Sequence, residues 1–250
     1  MRRDVLALLA ATVVLGWLAA TAQAGPLVSY WPFDGTAADE VGGRHGTEHG
    51  SPTYATDPTR GTVLSLAPGD YIDFGDGAPD GAGAMSLTFW FHTDYEFQSN
   101  GDLIVKYGSS PSNSGPFRIR HLDFDTFHIC LGTETLPTCR MMTERAFFDN
   151  WVFMVMTYDQ ATGIWYNGHW VLNAHGSATG QGVTGNLVDT TAPLQVGVNW
   201  AGEIDDLALW SQALDPAHIE RLSKGEPVPE PTTLSLLLTA GLLLLSRRRR

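Results

Sequence analysis

At 250 residues, 43% of them hydrophobic, the chain holds enough apolar material for one ordinary all-β domain between two specialised ends. Its 27 acidic residues outnumber 15 basic ones, and without Arg2, Arg3, Arg247–Arg250, Asp4, Glu226 and Glu230 the central part keeps 24 and 9, a net charge of about −15. That balance excludes nucleic acid and anionic lipid as partners of the central domain and suits an extracellular protein, without itself demonstrating cation binding.

The first 24 residues open with Arg2 and Arg3, continue as an apolar run from Val5 to about Ala20, and finish Ala22-Gln23-Ala24. A basic start, a short apolar core and an A-x-A site form a secretory signal peptide, which predicts a mature start at Gly25. RRDVL lacks most of the twin-arginine motif, so the general secretory route is expected.

From there the chain reads as short strands. Ser86–His92 alternates, with Leu87, Phe89 and Phe91 on one face. Leu103–Tyr107, Phe117–His121, Thr126–Leu131 and Arg140–Thr143 are runs bounded by Gly, Pro, Ser or Asp. WVFMVMTY (151–158) is almost continuously apolar, as in a strand covered on both faces, and Asn167-Gly168 predicts a two-residue hairpin turn. Many short strands at regular spacing predict an all-β, two-sheet antiparallel sandwich. Export places Cys130 and Cys139 where disulfides persist, and LGTETLPT between them can close a hairpin loop, so a disulfide is expected.

Near the end, Asp215 is a good N-cap, Pro216 fits the first helical position, Leu214 and Ile219 are placed as a hydrophobic staple, and Gly225 ends the helix. This one short C-terminal helix is expected to pack across the sandwich for stability alone. With it, the predicted architecture is a sandwich flanked by an N-terminal signal helix and a C-terminal hydrophobic helix.

Several segments resemble one family in order. They are LVSYWPFDGTAADEVGGRHGTEHGSPTY (27–54), Asp70–Gly75, Ser86–Phe91, Trp151–Gly168, Pro193–Gly197 and Gly202–Ile219. Together they look like the laminin-G-like, concanavalin A-like jelly roll, over about Leu27 to Leu222. The resemblance implies a binding and adhesion scaffold whose members often hold glycans and some of which carry calcium. At the other end, Pro229-Glu230-Pro231, the apolar run Leu234–Leu245 and the arginine tail resemble the bacterial PEP-CTERM sorting signal. That signal implies an inner-membrane intermediate and processing by an exosortase, then release to the cell surface or exterior. The expected organisation is a signal peptide (1–24), a jelly-roll domain (25–225) and a sorting segment (226–250).

The acids Glu203, Asp205 and Asp206 in GEIDDLALW pose the sharpest chemical question. Jelly-roll glucanases use a Glu-x-Asp-x-x-Glu strand, but here the third acid falls on Ala208, and a retaining mechanism needs a second carboxyl group about 5 Å from the nucleophile. The alternatives are a calcium site made by Asp34, Asp39 and Asp205, which converge if the first and last strands are neighbours, or plain turn and cap roles. Ile204, Leu207 and Leu209 are the expected packing residues of this strand. For sugar binding the candidates are Trp200, Trp165, Trp170 and Tyr95, with burial in the core as the competing role. The scattered histidines, including His45 and His49, lack the further ligands zinc would need. The resulting expectation is a non-enzymatic module binding extracellular polysaccharide or glycan. A structural envelope or biofilm component is the alternative, and a glycoside hydrolase using Glu203 and Asp205 a third reading.

Overall fold

Two antiparallel sheets face each other in the computed structural model, which describes residues 27–77, 81–93, 101–107, 115–123, 126–135, 137–143, 147, 149–171 and 174–228. The signal segment, Gly25, Tyr95 and the Pro229-Glu230-Pro231 motif lie outside the described residues, as do both flanking apolar segments. The first sheet runs through neighbours Ala174–Gln181 (β13), Ile164–Val171 (β12), Val152–Asp159 (β11), Ala84–His92 (β6), Gly202–Trp210 (β15), Gly61–Leu66 (β4) and Thr53–Asp57 (β3). Leu27–Trp31 (β1) also pairs with β15, so the first and last strands are neighbours. The second sheet runs through Pro137–Thr143 (β10), Thr126–Gly132 (β9), Phe117–Asp123 (β8), Gly101–Lys106 (β7), Leu194–Val198 (β14), Tyr71–Asp73 (β5) and Thr47–His49 (β2).

The main core lies between the sheets. Leu87, Phe89 and Phe91 of β6 reach it with Met154 and Met156 of β11 and Phe127 and Ile129 of β9, all fully buried. β11 is apolar from Val152 to Met156 because its other face is covered too. Phe153 and Val155 point outward into a second cluster with Tyr30, Trp210, Leu214, Ile219 and Leu222. The cover is the helix Pro216–Ser223 (α1), capped by Asp215, whose carboxylate accepts the His218 N–H at 2.9 Å. Sandwich, helix and disulfide match expectation; Cys130 and Cys139 are direct cross-strand partners and are bonded.

Two local features need physical reasons. Strict alternation along β15 would turn Asp206 inward after Ile204, yet Ile204, Leu207 and Leu209 are all fully buried in the main core. A bulge between Asp205 and Ala208, with Asp206 at φ 52°, inserts the extra residue and resets the alternation. Asn167-Gly168, by contrast, is no turn. β12 continues straight through it to Val171, paired over eight residues with β11 on one side and β13 on the other. Two full ladders outweigh a local turn preference, and Gly168 fits the strand because a Cβ there would meet the Tyr166 hydroxyl at 2.5 Å.

Asp39 organises the loop after β1. Its Oδ1 accepts the N–H groups of Tyr30, Val41 and Gly42 at 3.0, 2.9 and 2.9 Å, and Oδ2 accepts that of Arg44 at 3.0 Å. Burial alone would raise its pKa, but these four donors outweigh it and hold the carboxyl below its ordinary 3.8. A depressed folded value means the stabilisation is present above pH 3.8 and is lost as pH falls through the folded value. Asp39→Ala is therefore expected to cost about 2–3 kcal/mol at neutral pH by denaturant unfolding, and much less in acid.

Candidate functional site: an aromatic groove beside the helix

The outer face of the first sheet carries a groove of about 840 Å³ between β11–β13 and α1. Trp170 and Tyr166 project into it from β12 because the even positions of that strand face outward, while Trp165 and Val171 face the core. His175 of β13 lies flat on Trp170, with ring centres 4.4 Å apart and planes 16° from parallel. Trp170 in turn rests on Phe153, and Phe153 on Trp90, so the aromatic floor is fixed from beneath. The Tyr166 hydroxyl lies 3.4 Å from His175 Nε2, and burial raises the tyrosine pKa despite the opposing Ser177 hydrogen bond. The rim is polar. Thr157, Thr179 and Asp159 come from the sheet, and α1 adds Glu220, whose Oε1 accepts from Lys224 Nζ at 2.7 Å.

Of the four aromatic candidates, Trp170 alone lies in this groove among the described residues; Tyr95 is outside them. Trp200 is corrected to a core residue. It is fully buried at one end of the sandwich, packs where a Cβ on Gly101 would lie 3.0 Å from its Cβ, and donates its indole N–H to His121 Nδ1 at 3.3 Å. Trp165 is likewise buried, on the inner face of β12 beneath the Arg140 guanidinium. His175 and the helix side chains were not anticipated as site residues. The turn expected at Asn167-Gly168 hides the first, because it breaks the strand whose full ladder with β13 sets His175 opposite Trp170, and assigning α1 to stability alone hides the others.

The acids of β15 meet an arginine. Asp57 accepts the N–H groups of Thr59 and Arg60 at 2.7 and 2.8 Å, shaping the turn between β3 and β4. From that turn Arg60 crosses to Asp205, with Nε–Oδ2 2.6 Å, and to Asp206, with Nη2–Oδ2 2.5 Å. Its guanidinium also lies over Trp90, 4.3 Å from the ring centre, and near Trp151. Asp206 takes a second bond from the Tyr30 hydroxyl at 2.5 Å. Burial, then the adjacent Asp206 charge, pushes the Asp205 carboxyl up to about 7 against the pull of Arg60.

These arrangements answer both proposals made for the acids. The set Asp34, Asp39 and Asp205 does not fit a calcium ion. Asp39 spends its oxygens on backbone N–H groups and Asp205 on Arg60, while Asp34 is exposed to solvent. Among the described residues, no three acids bring their ligand atoms within 4.8 Å of one another. An unchanged melting temperature in excess calcium and in excess chelator is the expected result; a clear rise with calcium would restore the metal. Glu203 faces a different neighbour, His92, with Oε2–Nδ1 3.3 Å, at a polar pocket of about 330 Å³ lined by Ser65, Thr53 and Asp70. Glu203 and Asp205 therefore hold separate partners.

Several solved structures share the fold. A binding domain of botulinum neurotoxin DC in complex with SialylT superposes with a TM-score of 0.61 at 13% identity, over 80% of this chain and 51% of that one. A structure of botulinum neurotoxin type C, whose way into cells depends upon interaction with two ganglioside molecules, gives 0.60 at 13% identity, over 80% and 51%. The serotype C1 binding domain gives 0.61 at 12% identity, over 81% and 52%. The chain thus spans about half the length of each of these chains, and at such identity the likeness shows fold alone. Among curated proteins nothing matches significantly. Residues 66–220, more than half of the chain, match the family described as the concanavalin A-like lectin/glucanases superfamily, and by that match, with the two-sheet sandwich around it, the chain belongs to this laminin-G-like family.

Proposed function

We propose that this chain is a non-catalytic glycan-binding module of an exported bacterial surface or extracellular-matrix protein, with neutral polysaccharide as its ligand. The observation that carries the reading is the groove, where Tyr166 and the Trp170–His175 stack form an apolar floor under a rim of hydroxyls and carboxylates. A sugar ring has one C–H-rich face suited to such a floor and a circumference of hydroxyls suited to such a rim. The acidic rim and the chain's net charge of −12 favour a neutral sugar over an anionic one. Sugar-associated structures on the same scaffold support the reading by analogy. The absence of chemistry in it is supported by Asp205, which is engaged by Arg60, and by Ala208 at the position of the missing acid. In this reading residues 1–24 direct export, and Pro229-Glu230-Pro231 with its apolar run and arginine tail leads to exosortase processing at the inner membrane.

Isothermal titration against neutral exopolysaccharide oligosaccharides, chosen from a glycan array, tests the site. Trp170→Ala is expected to weaken binding by roughly thirtyfold, the effect of losing a hot-spot aromatic worth about 2 kcal/mol. Equal affinity in the variant removes the groove as the sugar site. No binding to any glycan by the folded parent leaves a structural envelope component instead.

A further inference from the structure

On the opposite sheet from the groove, four sulfur and nitrogen side chains occupy one block. Along β9, Phe127, Ile129 and Leu131 are fully buried in the main core, so His128 and Cys130 point to the outer face. Along β10, Met142 reaches the core, so Cys139 and Met141 point outward beside them. The register sets Cys139 opposite Cys130 and Met141 opposite His128. Ligand atoms of His128, Cys130 and Cys139 all lie within 4.8 Å of one another, and the two His128 ring nitrogens are 3.7 and 3.8 Å from Cys130 Sγ. Met141 is 64% exposed, more than any other large hydrophobic side chain among the described residues, so core packing does not explain its place. β10 is a sheet edge, which leaves the block open to solvent from above and from the side. On β8, Arg118 and Arg120 stand opposite Cys130 and His128, and both guanidinium groups are steered by Asp102.

We propose that this hairpin is a redox-gated site for a soft monovalent cation, copper(I), with His128, Cys130, Cys139 and Met141 as donors. In the disulfide form the two sulfurs are bonded to each other and the site is closed. A dithiol opens it. One of its thiolates attacks Cys139, the more exposed sulfur, forming a mixed disulfide and releasing Cys130 as thiolate. The reductant's second thiol then displaces Cys139 and closes the reductant's own disulfide. Two electrons pass from dithiol to protein, and two thiols remain on the hairpin. Copper(I) displaces their protons and takes both thiolates, with the imidazole and the thioether completing the set. Thiolate with thioether selects copper(I) over hard cations, and a thioether sets the site apart from the sulfur and nitrogen sets of zinc.

The full chain, reduced anaerobically with dithiothreitol and desalted, is titrated with copper(I) against the coloured bicinchoninate complex. The reduced protein is expected to take one equivalent, and the disulfide form none. Met141→Leu and His128→Asn, both on the outer face, are expected to weaken uptake by on the order of tenfold or more, since even outer partners of metal ligands have effects of that size. Circular dichroism recorded on the same samples shows whether the reduced hairpin stays folded. Uptake no stronger than that of Cys130→Ser/Cys139→Ser overturns the proposal. So does uptake that is unchanged in both single variants, which would mean that two thiols act without the block.

Discussion

Arg60→Ala is expected to destabilise the fold by about 3–5 kcal/mol at pH 8, because Asp205 loses the cation that offsets the burial of its carboxyl. Asp205 has a side chain only 5% exposed, and Arg60 is the cation that meets it. Removing the guanidinium also takes the stacked cation from Trp90 and frees one oxygen of Asp206. The sign of the pH dependence follows from the direction of the shift. The folded Asp205 carboxyl titrates at about 7 and the unfolded one near 3.8, so between those values the folded state holds more protons than the unfolded state. Its contribution to stability therefore falls as pH rises from about 4 to about 7 and is level above that, the reverse of an ordinary salt-bridged aspartate. In Arg60→Ala the opposing pull of the arginine is gone, so the carboxyl titrates higher still. The deficit should shrink as pH drops and Asp205 takes up its proton. The double variant Arg60→Ala/Asp205→Asn should recover most of the loss at pH 8, because a neutral amide needs no counter-charge. Denaturant melts of the four proteins at pH 5 and pH 8 measure all of this. A deficit that is the same at both pH values, and unrelieved by Asp205→Asn, would mean that Arg60 acts through its stem and not its charge.

How legible such features are in the sequence depends on how far apart their parts lie. The alternation of β6, the doubly covered run of β11 and the cap of α1 are each written within one short segment, and each could be read there. Trp170 belonged to that class as well, since its position on β12 fixes its outward direction. Arg60 did not. It stands in an unremarkable polar turn, and its meaning comes from Asp205, 145 residues away, across a register set by β3, β4 and β15. An acid pair set in an otherwise apolar strand is the one local sign, and it does not name its partner. The Asn167-Gly168 pair failed for the opposite reason: its local signal was strong, but the two eight-residue ladders of β12 outweighed it. The groove needed both strand direction and the docking of α1, and only the first was readable.

Trp200→Ala should lower stability by about 3–5 kcal/mol, the usual cost of deleting a fully buried aromatic, and leave sugar affinity at low temperature unchanged. For a domain of this length a loss of that size lowers the melting temperature by on the order of 10 °C. The residue sits in a loop-like stretch, GVNWAG, which is where exposed sugar-stacking aromatics are sought. Two glycines decide otherwise. Gly202 takes φ 144°, and a Cβ there would lie 2.5 Å from the far edge of the Trp200 ring, so the chain closes directly over the indole. Gly101 lets β7 approach from the other side, where a Cβ would meet the Asn199 carbonyl at 2.5 Å. Between them the ring is sealed against the core, and its N–H is directed to His121, which itself lies flat on Phe127. Trp200→Phe, which keeps an aromatic ring but drops that donor and part of the buried volume, should lose less than Trp200→Ala, about 1–3 kcal/mol. If Trp200→Ala instead melted like the parent and lost sugar affinity, the indole would have to leave its pocket to bind, and the groove at Trp170 would no longer account for recognition.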